Sequence, residues 1–303
     1  MAPRRPARRV RRHQIEEFLV VWALKLAAFI SIVTTISIVV ILIKESIPFF
    51  REIPIWDFLT GTTWTPNFNP ASYGVLPLIG GTLLVAIIAG VTAVVFGLAS
   101  AIFLSEYAPD KLRRVVKPIL EILAGIPTVV YGFFALTFLS PQLQKIFPDM
   151  IVFNALSAGL VMGLMIMPMI STLSEDAMLA VPRSLRDGAY ALGATKFEVA
   201  IKVVVPAALG GIVASFILAL SRAIGETMIV TLAAGASPNL TFNPLESIQA
   251  MTAYIVQTTL GEAAHASIQF QTIFAVGMVL FIMTLAMNIV GRFVVARWSE
   301  KYE

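Results

Sequence analysis

"SEDAMLAVPRSLRDGAYALGATKFEVAIKVVVPAAL", Ser174 to Leu209, separates two long apolar runs and is too long for a simple hairpin between helices. Glu175 to Leu179 can extend the preceding run, and Pro182 interrupts it. Ser184 to Leu192 reads as a short helix with Asp187 near its positive N-terminal end. Gly193 can stop that helix, because glycine enters the left-handed cap conformation without steric penalty. A second helical piece starts at Thr195, and Pro206 lies just inside the next apolar run. Two readings follow: a positively charged connector that only fixes topology, or a pair of short helices shaped for a groove on a cytoplasmic partner.

Outward from this segment, the chain reads as a membrane protein. Of its 303 residues 58% are hydrophobic and 13% charged, and the mean hydropathy is +0.86. Soluble domains are nearer one-quarter charged. A bilayer core of about 30 Å needs roughly 20 apolar residues per helix. Six runs meet that length: 18–43, 75–104, 119–140, 151–174, 203–234 and 268–295. The expected architecture is therefore an all-α membrane protein with six transmembrane helices: a basic tail over 1–17, then one transmembrane domain over 18–303 containing a cytoplasmic loop over 175–206.

Basic residues decide the orientation, since positively charged connectors stay on the cytoplasmic side. The tail carries Arg4, Arg5, Arg8, Arg9, Arg11 and Arg12, and the second connector carries Lys111, Arg113, Arg114 and Lys117. Arg183, Arg186, Lys196 and Lys202 lie in the fourth connector; Arg292, Arg297 and Lys301 lie near the C-terminus. The opposite face has Lys44, Arg51 and Lys145. Both termini are expected in the cytoplasm. The first run is longer than the 7–15 residues of a signal-peptide core and is read as a retained helix. Trp22, Trp56, Trp64 and Trp298 fall near the run ends, where interfacial tryptophans gather.

Several chemistries lack their signatures. Cysteine is absent, and the two histidines, His13 and His265, are far apart in the chain, so neither a thiolate nor a histidine metal site is expected. No phosphate loop, H-E-x-x-H pair or G-x-S-x-G elbow occurs. Uphill transport would need energy from another chain.

Two membrane runs contain features that cost free energy in lipid. In "AGIPTVVYGFF", Gly125, Pro127 and Gly132 interrupt a helix, which is tolerated where the freed backbone faces protein or a water-filled cavity. A kinked, tightly packed helix and a wall of a translocation path both suit that pattern. In "LALSRAIGETMIV", Leu218 to Val230, Arg222 and Glu226 stand four residues apart inside the fifth run. An arginine near mid-membrane costs about 2.5–3.5 kcal/mol on insertion scales, so it needs a partner or a role. At i and i+4 the two charges can pair along one helix face, with Gly225 between them leaving room for a close approach. Either the pair is a buried salt bridge that sets packing, or Arg222 meets an anion such as phosphate, whose oxygens suit the guanidinium fork, while Glu226 limits how tightly it is held.

The loop over 175–206 resembles the cytoplasmic signature of the permease subunits of ABC importers, written E-A-A, three residues, G, nine residues, I-x-L-P. The matching positions are Asp187, Gly188 and Ala189, then Gly193, then Val203, Val205 and Pro206, with the spacing kept. Asp187 replaces glutamate, Gly188 an alanine, and valines replace isoleucine and leucine. Gly188 should weaken the short helix by roughly 1 kcal/mol relative to alanine. Three further stretches resemble the permeases of high-affinity phosphate importers, most closely the C-type subunit: Phe58 to Leu83, Glu121 to Phe134 and Leu220 to Met228.

The resemblance implies a type I ABC importer permease fold in a bacterial or archaeal inner membrane, with no covalent chemistry of its own. It implies that the 175–206 loop docks on an ATP-binding subunit and that Arg222 and Glu226 serve phosphate passage. The implied partners are an A-type permease, two ATP-binding subunits that hold ATP and magnesium, and an extracytoplasmic phosphate-binding protein. No nucleic acid is expected. A permease for another oxyanion, sulfate or molybdate, and a non-conducting scaffold or signalling subunit are the alternatives.

Overall fold

The computed structural model describes residues 7–261 and 267–298. Arg4, Arg5, His265 and Lys301 lie outside the described residues. The chain begins with α1 (Ala7–Glu52), a short α2 (Ile55–Thr60) and a two-stranded antiparallel ribbon, β1 (Trp64–Thr65) and β2 (Ser72–Tyr73). Next come α3 (Leu76–Ile102), which ends in a π-helical turn (Phe103–Tyr107), α4 (Asp110–Gly125), and α5 (Thr128–Phe134), which continues through a π-helical turn (Ala135–Leu139) into α6 (Ser140–Gln144). The rest is α7 (Ala155–Leu179), α8 (Arg183–Ala191), α9 (Lys196–Val199), α10 (Val205–Ala207), α11 (Leu209–Ile224), α12 (Met251–Leu260) and α13 (Ile268–Trp298).

The centre of the bundle is the crossing of α3 and α7. Gly159 and Gly163 of α7 lie against Ile88 and Thr92 of α3, and Gly97 of α3 lies against Ile170. Small residues let the backbones approach closely, which is how helices gain packing energy when lipid removes the hydrophobic drive between them. Met162, Met165, Ile166 and Ile170 are buried there with Val85, Ala89 and Ala93. The first turn of α7 is capped by Asn154, whose side chain accepts from the Ser157 amide at 2.7 Å and donates to Ser140 Oγ at 3.2 Å.

Among the described residues four helices are long and apolar enough to cross a membrane, and two bent pairs raise the number to six if each pair is one span. The third run bends where Gly125 and Pro127 interrupt it, and the fifth run bends as well. The 119–140 run is broken by an 88° turn between Asp110–Gly125 and Thr128–Gln144. Pro127 caps the start of α5 with an extended backbone, and the Tyr131 hydroxyl donates to the Leu123 carbonyl at 2.7 Å across the corner. The 203–234 run bends by 70° at Ala208, and α11 ends at Ile224 before a short helical segment resumes at 228–234.

At the opposite end of the bundle, Phe49, Phe58, Trp64, Tyr73 and Tyr254 form an edge-to-face aromatic cluster, with Trp64 and Tyr254 centroids 4.9 Å apart. Trp56 is exposed, as a belt residue would be, but Trp64 is 2% exposed and belongs to this core. The α12 helix, which none of the six apolar runs predicts, is buried over Met251 to Tyr254. Thr82 of α3 accepts from its Met251 amide at 3.0 Å.

Candidate functional site

Two places combine charge, helix breaks and the residues singled out in the sequence. The first is the break in the fifth run. The α11 helix ends with Gly225 as its C-terminal cap, so Arg222 and Glu226 do not lie on one continuous helix. Arg222 is exposed and has neither a hydrogen bond nor an ion pair among the described residues. Glu226 is half-buried, and its Oε1 accepts from the backbone amides of Met228 at 3.0 Å and Ile229 at 3.5 Å. The expected pairing of the two charges is therefore absent. A carboxylate two residues ahead of a helical segment finds orphan N–H groups nearer than a guanidinium on the far side of a break.

The Glu226 carbonyl accepts from the buried Thr252 hydroxyl of α12 at 2.7 Å, which fastens the break to α12. A side chain at Gly225 would meet nothing closer than 3.8 Å, so no described element crowds it. Gly132 differs: a Cβ there would lie 2.9 Å from the Leu232 side chain and 3.1 Å from the Met228 carbonyl. The α5 helix thus crosses the resumed segment at contact distance, and the two interrupted runs meet just beyond Glu226. Gly125 has open space around it and ends α4, while Pro127 starts α5.

The second place is the 175–206 loop. Asp187 and Gly188 are exposed on α8, Ala189 is half-buried, and Gly193 has φ +84°. The Gly193 amide donates to Tyr190 and the Ala194 amide to Ala189, closing the helix end. Thr195 and Glu198 then form a capping box that starts α9. A Lys202 ion pair at 3.0 Å and these cap bonds hold the Glu198 carboxyl down at about 2, the Thr195 amide being the largest cause. Val203 and Val205 are half-buried beneath, Pro206 is exposed in α10, and Leu192 and Phe197 stand out into solvent.

Ion pairs tie this loop to the bundle. Arg186 of α8 reaches Glu106, at the end of α3, at 3.0 Å. It also donates to the Val181 and Met178 carbonyls at 2.6 and 2.8 Å. On α7, fully buried Glu175 meets Arg113 and Lys117 of α4, each at 3.2 Å. In the sequence these cations read only as topology markers. The T-x-x-E spacing of Thr195 and Glu198 is a readable signal, whereas Glu106 and Glu175 have none, because their partners are distant in sequence. Among the described residues no cluster of histidine and carboxylate groups could hold a metal ion.

An interrupted membrane span is thus joined through one bent segment to the two-helix loop over 175–206. The family model for the binding-protein-dependent transport system inner membrane component matches residues 93–300, and the chain belongs to that family. It is a multi-pass permease subunit of an ABC importer, with the type I fold, and not an enzyme.

Particular relatives carry more specific names. The chain is 34% identical over 264 residues to a phosphate transport system permease protein PstC of Xylella fastidiosa, covering 81% of this chain and 80% of the relative. It is 32% identical over 241 residues to the probable ABC transporter permease protein YqgH of Bacillus subtilis, covering 80% and 78%. A probable PstC of Methanocaldococcus jannaschii is 29% identical over 90% of this chain and 92% of that one. Among solved structures, a bacterial alginate ABC transporter matches with a TM-score of 0.66 over 96% of this chain and 99% of that one at 15% identity. The MetNI methionine transporter matches at 0.56 over 73% and 94%, at 21% identity. At these identities the structures speak for the fold.

Proposed function

We propose that this protein is the C-type permease of an ATP-driven inorganic phosphate importer. It forms half of the path with an A-type permease, beside two ATP-binding subunits and an extracytoplasmic phosphate-binding protein. The observation that carries the reading is Arg222: a guanidinium without a partner among the described residues of its own chain, at the end of an interrupted membrane helix. Such a group needs an anion, water or another subunit. A planar fork of donors suits phosphate oxygens. The names of the PstC relatives support phosphate as that anion.

In this reading ATP and magnesium are held by the partner subunits, both termini are cytoplasmic, and α8 with α9 docks on an ATP-binding subunit. ATP binding draws the ATPases together, the loop carries the movement into α3, α7 and α11, and the path opens alternately to either side. The test is uptake into vesicles by the reconstituted complex, with and without ATP. Phosphate uptake that excess sulfate and molybdate do not inhibit is the expected result. Preferential uptake of either competitor would overturn the phosphate assignment, and a fully assembled complex that transports nothing would favour a scaffold.

A further inference from the structure

The α4 helix has three distinct faces. Arg113 and Lys117 turn to Glu175, and Leu120 is buried, which defines the bundle side. Leu112, Val115, Ile119 and Ile122 form a stripe at helical spacing that no described element of the chain covers, with exposures of 38, 58, 51 and 68%. Lys111 and Arg114 are exposed on the remaining side, with Lys111 bordering the apolar stripe, while Asp110 and Glu121 stand further round. Spans tilt by about 20° on average from the membrane normal. An 88° bend from the Thr128–Gln144 pair therefore lays α4 nearly in the membrane plane.

We propose that α4 is an interfacial helix seated on an anionic lipid leaflet. Its stripe of four aliphatic side chains enters the acyl boundary, and Lys111 and Arg114 meet lipid phosphates. Amphipathic helices bind membranes by this combination of buried apolar area and attraction to anionic headgroups. A cation near such a surface contributes roughly a fivefold preference. The bundle side of α4 holds Glu175 of α7, so the seat also fixes the fourth span relative to the leaflet. Placement on the cytoplasmic leaflet rests on the orientation proposed above.

The chain has no cysteine, so single substitutions carry a spin label at one site. The full chain, in complex with cysteine-free partner subunits, is labelled as Val115→Cys, Ile119→Cys, Ile122→Cys, Arg114→Cys and Glu121→Cys. Vesicles contain phosphatidylcholine alone or with phosphatidylglycerol. Labels at 115, 119 and 122 are expected to be open to oxygen and shielded from a water-soluble nickel reagent, with the reverse at 114 and 121. Nickel access at all five, or shielding of the stripe from both reagents by a partner chain, would overturn the seat. Phosphatidylglycerol is expected to lower nickel access at 119 severalfold, an effect lost with Lys111→Gln and Arg114→Gln together; equal access in both vesicles overturns the anionic preference. A lipid-like profile with Arg114→Cys reached by an impermeant thiol reagent from the opposite face keeps the seat and overturns only the orientation.

Discussion

The Arg186 guanidinium lies 3.0 Å from the Glu106 carboxylate, joining α8, the first helix of the loop, to the end of α3. Arg186 is also bound to two backbone carbonyls, so its bonds differ in kind. Glu106→Gln removes the charge pairing and keeps an acceptor; Arg186→Gln strips the carbonyls as well. Arg186→Gln is therefore expected to be the more damaging, by about 1–3 kcal/mol of thermal stability in the purified complex. The exchange of the two charges should not restore it, because glutamate cannot donate to the Val181 and Met178 carbonyls. In transport assays the expected effect of Arg186→Gln is ATP hydrolysis with little uptake. Full coupling in that variant would show that α8 needs no tie to α3.

Glu175 is fully buried with two cations from α4. Removing one partner of a buried pair leaves an uncompensated charge and costs about 3–5 kcal/mol. Glu175→Ala is expected near the lower end, because Arg113 and Lys117 are partly exposed and can find water. Lys117→Met should cost less than Glu175→Ala, since Arg113 still faces the carboxylate. A double-mutant cycle of Glu175→Gln with Lys117→Gln, read by thermal unfolding, should give a non-additive term; strict additivity would mean the contact is not energetic.

Much of this layout is legible in the sequence. The breakers Pro182 and Gly193 place α8 to within a residue, because glycine at φ +84° and proline at a helix start act locally. The break in the third run is legible in Gly125 and Pro127, but the direction of α4 is not. Hydropathy sums residues without direction, and Ile119 to Ala124 is apolar enough to merge α4 with α5 although one is nearly perpendicular to the other. The α12 helix is too short to register as a span, and its burial comes from Thr82 and Trp64 contacts made far along the chain. The pairing of Arg222 with Glu226 presumes an unbroken helix, and the competing backbone amides of Met228 and Ile229 take the carboxylate instead.

The Glu198 carboxyl is held at about 2, below its ordinary 4.5, by the Thr195 amide first and by Lys202 and the Thr195 hydroxyl after it. A depressed carboxyl stabilises the folded loop above its unfolded value and loses that contribution as pH falls through the folded one. The start of α9 should therefore be fully capped at neutral pH and uncapped progressively between 4.5 and about 2. Amide hydrogen exchange at residues 196–200 is expected to rise over that window after correction for intrinsic rates. Glu198→Gln should flatten the dependence, and an unchanged slope in that variant would assign it to another group.

Arg222 and Glu226 should separate cleanly under substitution because they hold different things. Arg222 has no partner among the described residues, so Arg222→Gln is expected to change stability by no more than about 0.5 kcal/mol while abolishing uptake. Arg222→Lys should restore only part, as the fork is lost. Glu226 caps the 228–234 segment through an oxygen that glutamine also supplies. Glu226→Gln should therefore keep the complex assembled, whereas Glu226→Ala should cost about 1 kcal/mol as a lost cap. Uptake is the measurement that decides the role of the charge. If Glu226→Gln transports normally, its carboxylate serves only the helix; if it assembles but transports poorly, the charge itself acts beside Arg222 in the path.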